Sequence, residues 1–294
     1  MSERHGIIVG YDGSSNAVAA VEWARTKTSI FGAVRPVYAW SIPAMAIAGT
    51  PLGFSPAPPV EEMRAAAERA AAAFAADLGI DPDDVSVVQG DPGTVLCNAA
   101  TQANLLVVGT RSRGPIRSNL LGSVGRDCAD HAEVPLVIVP ETDGPAPTRN
   151  RGIVVGVDGS ANSIAGLRWA AANFTDTPIT AVASWQTPID GPVMMGGGRF
   201  DLKAFRAQAG TIVEEAAEKV TADLGLDSTR IARKIVEGDP RATLLAEQDT
   251  ADLLVVGRRG RGGLAHLLVG SSTTSLIHQP RCPIAVIPPE EPHE

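Results

Sequence analysis

The sequence predicts an α/β protein: two tandem, doubly wound (Rossmann-like) domains, each a five-stranded parallel sheet of strand order 3-2-1-4-5 with its fifth strand at the inter-domain edge. Three observations carry this. The chain says nearly the same thing twice, since Ile7-Ile8-Val9-Gly10-Tyr11-Asp12-Gly13-Ser14 returns as Ile153-Val154-Val155-Gly156-Val157-Asp158-Gly159-Ser160, and Leu105 to Gly109 returns as Leu253 to Gly257. A repeat this long is a duplicated domain rather than a short-period solenoid. Within each half, short β-branched runs alternate with longer helical patterns, the signature of a parallel sheet wrapped by helices. Finally, 294 residues at 44% hydrophobic content give each half enough apolar material for its own core.

The first half reads as strand 6–12, helix 15–31, strand 34–40, helix 60–78, strand 85–89, helix 92–103, strand 105–109, helix 122–133 and strand 135–139. Helix 60–78 is mostly alanine with spaced Glu and Arg, all strong helix formers. The runs Leu105 to Gly109 and Leu253 to Gly257 are unbroken rather than alternating, as expected of central strands covered on both faces. Strands near 152–158, 178–185, 230–236, 252–257 and 283–288 repeat the order in the second half. Between the halves, Pro140 to Asn150 contains Pro140, Pro145 and Pro147 among polar neighbours and reads as an exposed connector, which sets the domains at 1–144 and 151–294. The fifth strands, 135–139 and 283–287, are short, apolar and followed by proline. As edge strands they invite pairing with another strand, and whole chains can associate further as a dimer or larger homo-oligomer.

Composition excludes several classes. A net charge of −8 speaks against a nucleic-acid surface. Cys97, Cys128 and Cys282 are unclustered in sequence and lack CxxC spacing, so they read as reduced, mostly buried thiols. Met1 to Gly6 does not open a signal peptide, and the longest Ala-rich run is broken by Glu68 and Arg69, which predicts a cytoplasmic protein without a membrane span.

The strongest chemical signal follows the fourth strand. In the second half it runs from Gly257 through Gly260, Gly262 and Gly263 to Gly270-Ser271-Ser272, ending where a helix begins. Glycines let backbone N–H groups approach an anion, and the helix N-terminus adds its own N–H groups and a hydroxyl. From glycine content alone the segment is equally a surface loop with Ser271 as an N-cap. Arg258, Arg259 and Arg261, in an otherwise acidic chain, favour a multiply charged ligand. Asp12 and Asp158 close the first strands. In the expected sheet they share a crevice with this loop, where a carboxylate can accept from ribose hydroxyls. Asp-Gly-Ser also reads as a plain turn and helix cap.

Asp at the end of the first strand, with Gly-x2-Gly-x9-Gly-Ser after the fourth, resembles the ATP-binding class of universal stress proteins. The resemblance covers essentially the whole chain as two copies, and the second copy carries Gly257, Gly260, Gly270 and Ser271 in full. It implies an adenine nucleotide, ATP with Mg as its optional companion, with the adenine near Ala39 and Ser184 and apolar contact from Val108 and Val256. It further implies phosphate contacts from Ser123 and Val124 in one copy and from Ser271 and Ser272 in the other. The first copy keeps Gly109, Gly122 and Ser123 but has Ser112 in place of the middle glycine and Pro115 where the second has Gly263. The second site is therefore expected to bind at least as well as the first.

Enzyme signatures are missing. No Gly-Lys-Ser/Thr tripeptide occurs, kinase signatures are absent, and the five histidines lie singly without metal-ligand spacing. Gly90-Asp91-Pro92 and Gly238-Asp239-Pro240 recur as helix caps, and Trp23 and Trp169 read as core. The reading is a nucleotide-dependent regulator of stress response or signalling with an unidentified protein partner. A slow ATPase or nucleotide-transfer enzyme in the same crevice, and a nucleotide-free scaffold, are the alternatives.

Overall fold

The computed structural model describes residues 5–42, 59–110, 121–141, 151–186, 202–260 and 269–289. The chain forms two compact units, Met1–Asp143 and Gly144–Glu294. Most of the Pro140 to Asn150 connector lies outside the described residues, as do Ser112, Pro115, Arg261, Gly262 and Gly263.

In the first unit β1 (Ile7–Gly10) is followed by α1 (Ser15–Arg25), a short α2 (Thr28–Phe31), β2 (Val34–Trp40), α3 (Val60–Asp77), β3 (Ser86–Gln89), α4 (Pro92–Ala100), β4 (Leu105–Gly109), α5 (Ser123–His131) and β5 (Leu136–Val139). The predicted helix 15–31 is two helices. The Thr26 hydroxyl donates to the Trp23 carbonyl at 2.7 Å and the Thr28 hydroxyl to the Arg25 carbonyl at 3.2 Å, so side chains occupy the acceptors at the break. Within the unit the strands lie in the order β3-β2-β1-β4-β5, and every pair is parallel. Leu105, Leu106, Val107 and Val108 of β4 are buried, as an unbroken apolar strand requires.

The second unit repeats the plan with β6 (Ile153–Gly156), α6 (Ala161–Asn173), β7 (Ile179–Trp185), α7 (Leu202–Leu224), β8 (Ile231–Glu237), α8 (Pro240–Glu247), β9 (Leu253–Gly257), α9 (Ser271–His278) and β10 (Ile284–Ile287). Its internal order is β10-β9-β6-β7-β8, again all parallel. In both units β1 or β6 is central, with the second strand on one side and the fourth on the other. Chain direction across the sheet therefore reverses between the first and fourth strands, which opens a crevice at their carboxyl ends.

The α/β class and the parallel sheets stand, and within each unit the fifth strand is buried along its whole length. One expectation needs correction. Trp23 and Trp169 are half-buried rather than core; Lys27 Nζ lies 5.6 Å from the Trp23 ring centroid, and Trp169 stacks edge-on with Phe174 at 5.5 Å. An indole with one polar edge suits such a rim position. The cysteines are thiols, with Cys128 and Cys282 buried, as expected, and α4 and α5 bring the Cys97 and Cys128 side chains together. The Asp-Pro caps hold, since Asp91 Oδ1 accepts from Thr94 N and Asp239 Oδ1 from Ala242 N, each at 3.0 Å.

Candidate functional site

Each unit has a cleft at the carboxyl ends of its first and fourth strands. The first is about 370 Å³ and is lined by Asp12, Ala39, Val108, Gly109, Gly122, Ser123 and Val124 among others. The second is about 470 Å³ and takes in Asp158, Ser184, Val256, Gly257, Gly260, Gly270, Ser271 and Ser272. Every described residue that the resemblance implied as a nucleotide contact thus lines the cleft of its own unit; Arg258 does not line the second cleft, and Ser112 lies outside the described residues.

The acidic turns are built alike. Gly13 and Gly159 both have φ of 77°, a backbone conformation that L side chains rarely adopt. Asp12 Oδ1 accepts from Ser14 N at 3.0 Å, and Asp158 Oδ1 from Ser160 N at 2.9 Å. The serines then cap the next helix, with Ser14 Oγ accepting from Ala17 N and Ser160 Oγ from Ser163 N, both at 3.2 Å. Turn and cap are therefore real functions of Asp-Gly-Ser. They engage Oδ1 of each carboxylate. The other oxygen of Asp158 faces Gly260, where an added Cβ would stand 2.5 Å from it.

Opposite these turns, α5 and α9 start without a side-chain cap. Their N-cap residues are Gly122 and Gly270, in extended backbone, whereas Ser14, Asp91, Ser160 and Asp239 cap other helices through side-chain oxygens. First-turn N–H groups with no side-chain acceptor, at the positive end of the helix dipole, make a favourable place for an anion. In the second unit the cap is fixed from behind. Gly270 N donates to the Arg258 carbonyl at 2.9 Å, and the buried Thr273 hydroxyl donates to the Gly257 carbonyl at 2.9 Å.

Gly109 and Gly257, read as phosphate-loop glycines, have a packing reason of their own. A Cβ on Gly109 would lie 2.4 Å from the Asn16 carbonyl oxygen, and one on Gly257 would lie 2.8 Å from that of Asn162. These glycines let α1 and α6 rest on the ends of β4 and β9. By contrast, a Cβ on Gly270 meets nothing nearer than 3.5 Å among the described residues.

Sequence reasoning missed the far walls. Phe205, Gln208 and Ile212 of α7 line the second cleft at helical spacing. That face is legible as a stripe, but nothing in the chain says it looks onto a cleft. The first unit instead packs aromatic rings there: Phe74 meets Tyr11 edge-on at 5.6 Å and Tyr38 at 6.3 Å, and a Cβ on Gly13 would fall 2.1 Å from the Phe74 ring. Burial, with Asp77 and Asp12 nearby, raises the Tyr11 hydroxyl above its ordinary range and keeps it neutral. Arg259 lines the second cleft, while no Lys or Arg lines the first among the described residues.

The fold and clefts define a duplicated, doubly wound α/β protein with one crevice per copy. The sequence model of the universal stress protein family matches twice, over residues 3–140 and 149–288, and the chain belongs to that family. A universal stress protein of Mycolicibacterium smegmatis is 26% identical over 294 residues, covering 97% of both chains. One from Mycobacterium tuberculosis is 25% identical over 301 residues at the same coverage. Among solved structures, a universal stress protein of Archaeoglobus fulgidus superposes with a TM-score of 0.64 at 18% identity, covering 97% of this chain and 98% of that one, a likeness of fold. Among the described residues no helix is long and apolar enough to cross a membrane.

Proposed function

We propose that the chain binds ATP in these clefts and acts as a regulator whose nucleotide state biases an interaction with a protein partner. The observation that carries this is the uncapped first turn of α5 and of α9, each facing the Asp-Gly-Ser turn across a cleft. The N–H groups of that turn, with Ser123 or Ser271, would hold phosphates. Asp12 or Asp158 would accept from the ribose. Ala39 and Val108, or Ser184 and Val256, would lie against the base. Among the described residues no group of three or more His, Cys, Asp or Glu side chains could hold a metal. Mg would therefore enter as the counter-ion of the phosphates rather than as a resident of the protein.

The test is to acid-denature freshly purified protein and identify released nucleotide, then to titrate stripped protein with ATP. Released adenine nucleotide and saturable binding are expected; neither release nor binding at millimolar ATP would overturn the reading. Steady-state phosphate release is expected to stay far below the roughly 1 to 10³ per second usual for enzymes. A rate in that range, lost in Asp158→Ala, would favour the ATPase reading. Self-association of whole chains belongs to the same proposal and is checked by sedimentation.

A further inference from the structure

The first unit carries a thiol pair that the nucleotide reading does not use. Cys97, half-buried on α4, and Cys128, buried on α5, are both thiols outside any disulfide, and their side chains interact directly. The helices that bear them approach closely, since a Cβ on Gly93, one turn before Cys97, would lie 2.6 Å from Cβ of Asp127, the neighbour of Cys128. Both helices reach the cleft. Leu96 and Pro92 of α4 line it, and so do Ser123, Val124 and Gly125 in the first turn of α5. In the second unit the matching positions are Leu245 and Leu276, so that unit carries no thiol at either place.

We propose that Cys97 and Cys128 form a reversible, peroxide-driven disulfide that staples α4 to α5 and retunes the first cleft, leaving the second untouched. The coupling half of this proposal rests on the nucleotide reading; the disulfide half does not. Chemically, two thiols and one hydrogen peroxide give one disulfide and two waters. The Cys97 sulfur, as thiolate, attacks the peroxide O–O bond, becomes the sulfenic acid and releases hydroxide, which takes up the Cys97 thiol proton as water. The Cys128 sulfur then attacks the Cys97 sulfur, forming S–S and breaking S–O, and its proton leaves with that oxygen as the second water. The order follows from the surroundings. The hydrogen bond to Cys97 and burial hold the Cys128 thiol far above its ordinary range, so it stays protonated, while Cys97 has access to solvent. Drawing the sulfurs from contact to bonding distance shifts the first turn of α5 against α4. That turn supplies the N–H groups aimed into the cleft, so the staple should weaken nucleotide binding there.

The test treats the full-length protein with hydrogen peroxide, maps thiols by mass spectrometry under non-reducing conditions, and reverses with dithiothreitol. A Cys97–Cys128 cross-linked peptide is expected, reversible, with Cys282 unmodified because burial pushes its thiol up to about 12. Cys97 oxidised to the sulfinic acid with Cys128 unlinked, or no oxidation at either, would overturn the disulfide. ATP titration of the oxidised and re-reduced protein should then show one class of site weakened roughly fivefold or more by oxidation. The effect should vanish in Cys97→Ser and persist in Cys282→Ser. A disulfide without change in affinity would overturn the coupling. If the reduced protein binds no nucleotide, the functional reading fails while the peptide map still decides the disulfide. Because the map and its reversal use the natural chain, they hold even if a cysteine variant fails to fold.

Discussion

The two clefts are built on one plan and furnished differently. The second is larger, about 470 Å³ against 370 Å³, is walled by Phe205, Gln208 and Ile212 of α7, and has Arg259 on its rim. The first is crowded by the Tyr11, Phe74 and Tyr38 rings, has no Lys or Arg among its described lining residues, and sits over the Cys97–Cys128 pair. Duplication has kept the parts that shape a crevice: the central strand, the Asp-Gly-Ser turn and the uncapped helix. It has let the walls diverge. Where backbone geometry dictates a residue the copies agree, and where a side chain only fills space or carries charge they do not.

The largest expected difference is in binding. Gly270→Glu places a carboxylate at the open end of α9, in space where a Cβ meets nothing nearer than 3.5 Å among the described residues, so the chain should fold normally. Affinity at the second site should fall roughly a hundredfold, about 2.8 kcal/mol. Gly122→Glu should remove less of the total bound nucleotide, because Arg259 lines the second cleft while no Lys or Arg is among the described residues lining the first. Calorimetric titration of both variants checks this, and a greater loss from Gly122→Glu would reverse the ranking of the sites.

A second comparison should come out equal. Gly109→Ala and Gly257→Ala both force a Cβ into the backbone of the helix resting on the strand end, at 2.4 Å from Asn16 and 2.8 Å from Asn162. Each should cost about 2 kcal/mol of stability, read as a lower denaturant midpoint in nucleotide-free protein. Unchanged stability with lost binding would return these glycines to the ligand.

This case shows what the sequence could and could not say. The glycines after the fourth strand were visible, but one signal covered two causes: Gly257 is there for packing, whereas Gly270 leaves a helix end open. Asp12 and Asp158 were legible as turn, cap or ligand contact because one carboxylate can do several of these at once. Central strands announced themselves by unbroken apolar runs, since burial on both faces leaves no alternation. The walls were illegible. Phe205 faces a cleft and Phe74 packs on Tyr11 and Tyr38 only because of how α7 and α3 are placed, and Cys97 meets Cys128 only because α4 crosses α5, relations that no local pattern encodes.

Thr273 marks a smaller divergence. Its buried hydroxyl ties the first turn of α9 to the Gly257 carbonyl at 2.9 Å, while Gly125 occupies the same place in the first unit, with Leu121 where a Cβ would go, at 2.4 Å. Thr273→Val keeps the shape and removes the donor, and should cost about 1.5 kcal/mol. Nucleotide affinity should drop at the second site only. An equal loss at both sites would mean that the tie acts on the whole chain rather than on its own cleft.

The smallest effect tests the features that the copies share most closely. Asp91 and Asp239 each precede a proline and accept from the N–H three residues on, at 3.0 Å, with Pro92 and Pro240 already fixed for the first turn. Asp91 Oδ1 also accepts from the Thr94 hydroxyl at 3.1 Å, a bond with no counterpart at Ala242. Asp91→Ala and Asp239→Ala should therefore each cost about 1 kcal/mol, lowering the melting temperature of the affected unit by a few degrees, with the Asp91 change marginally the larger. Pro92 and Pro240 line the clefts, but the aspartates do not. Binding should therefore be nearly unchanged in both variants once folded. A tenfold loss of affinity without loss of stability would make the caps part of the ligand machinery and would move the boundary between scaffold and site inward along α4 and α8.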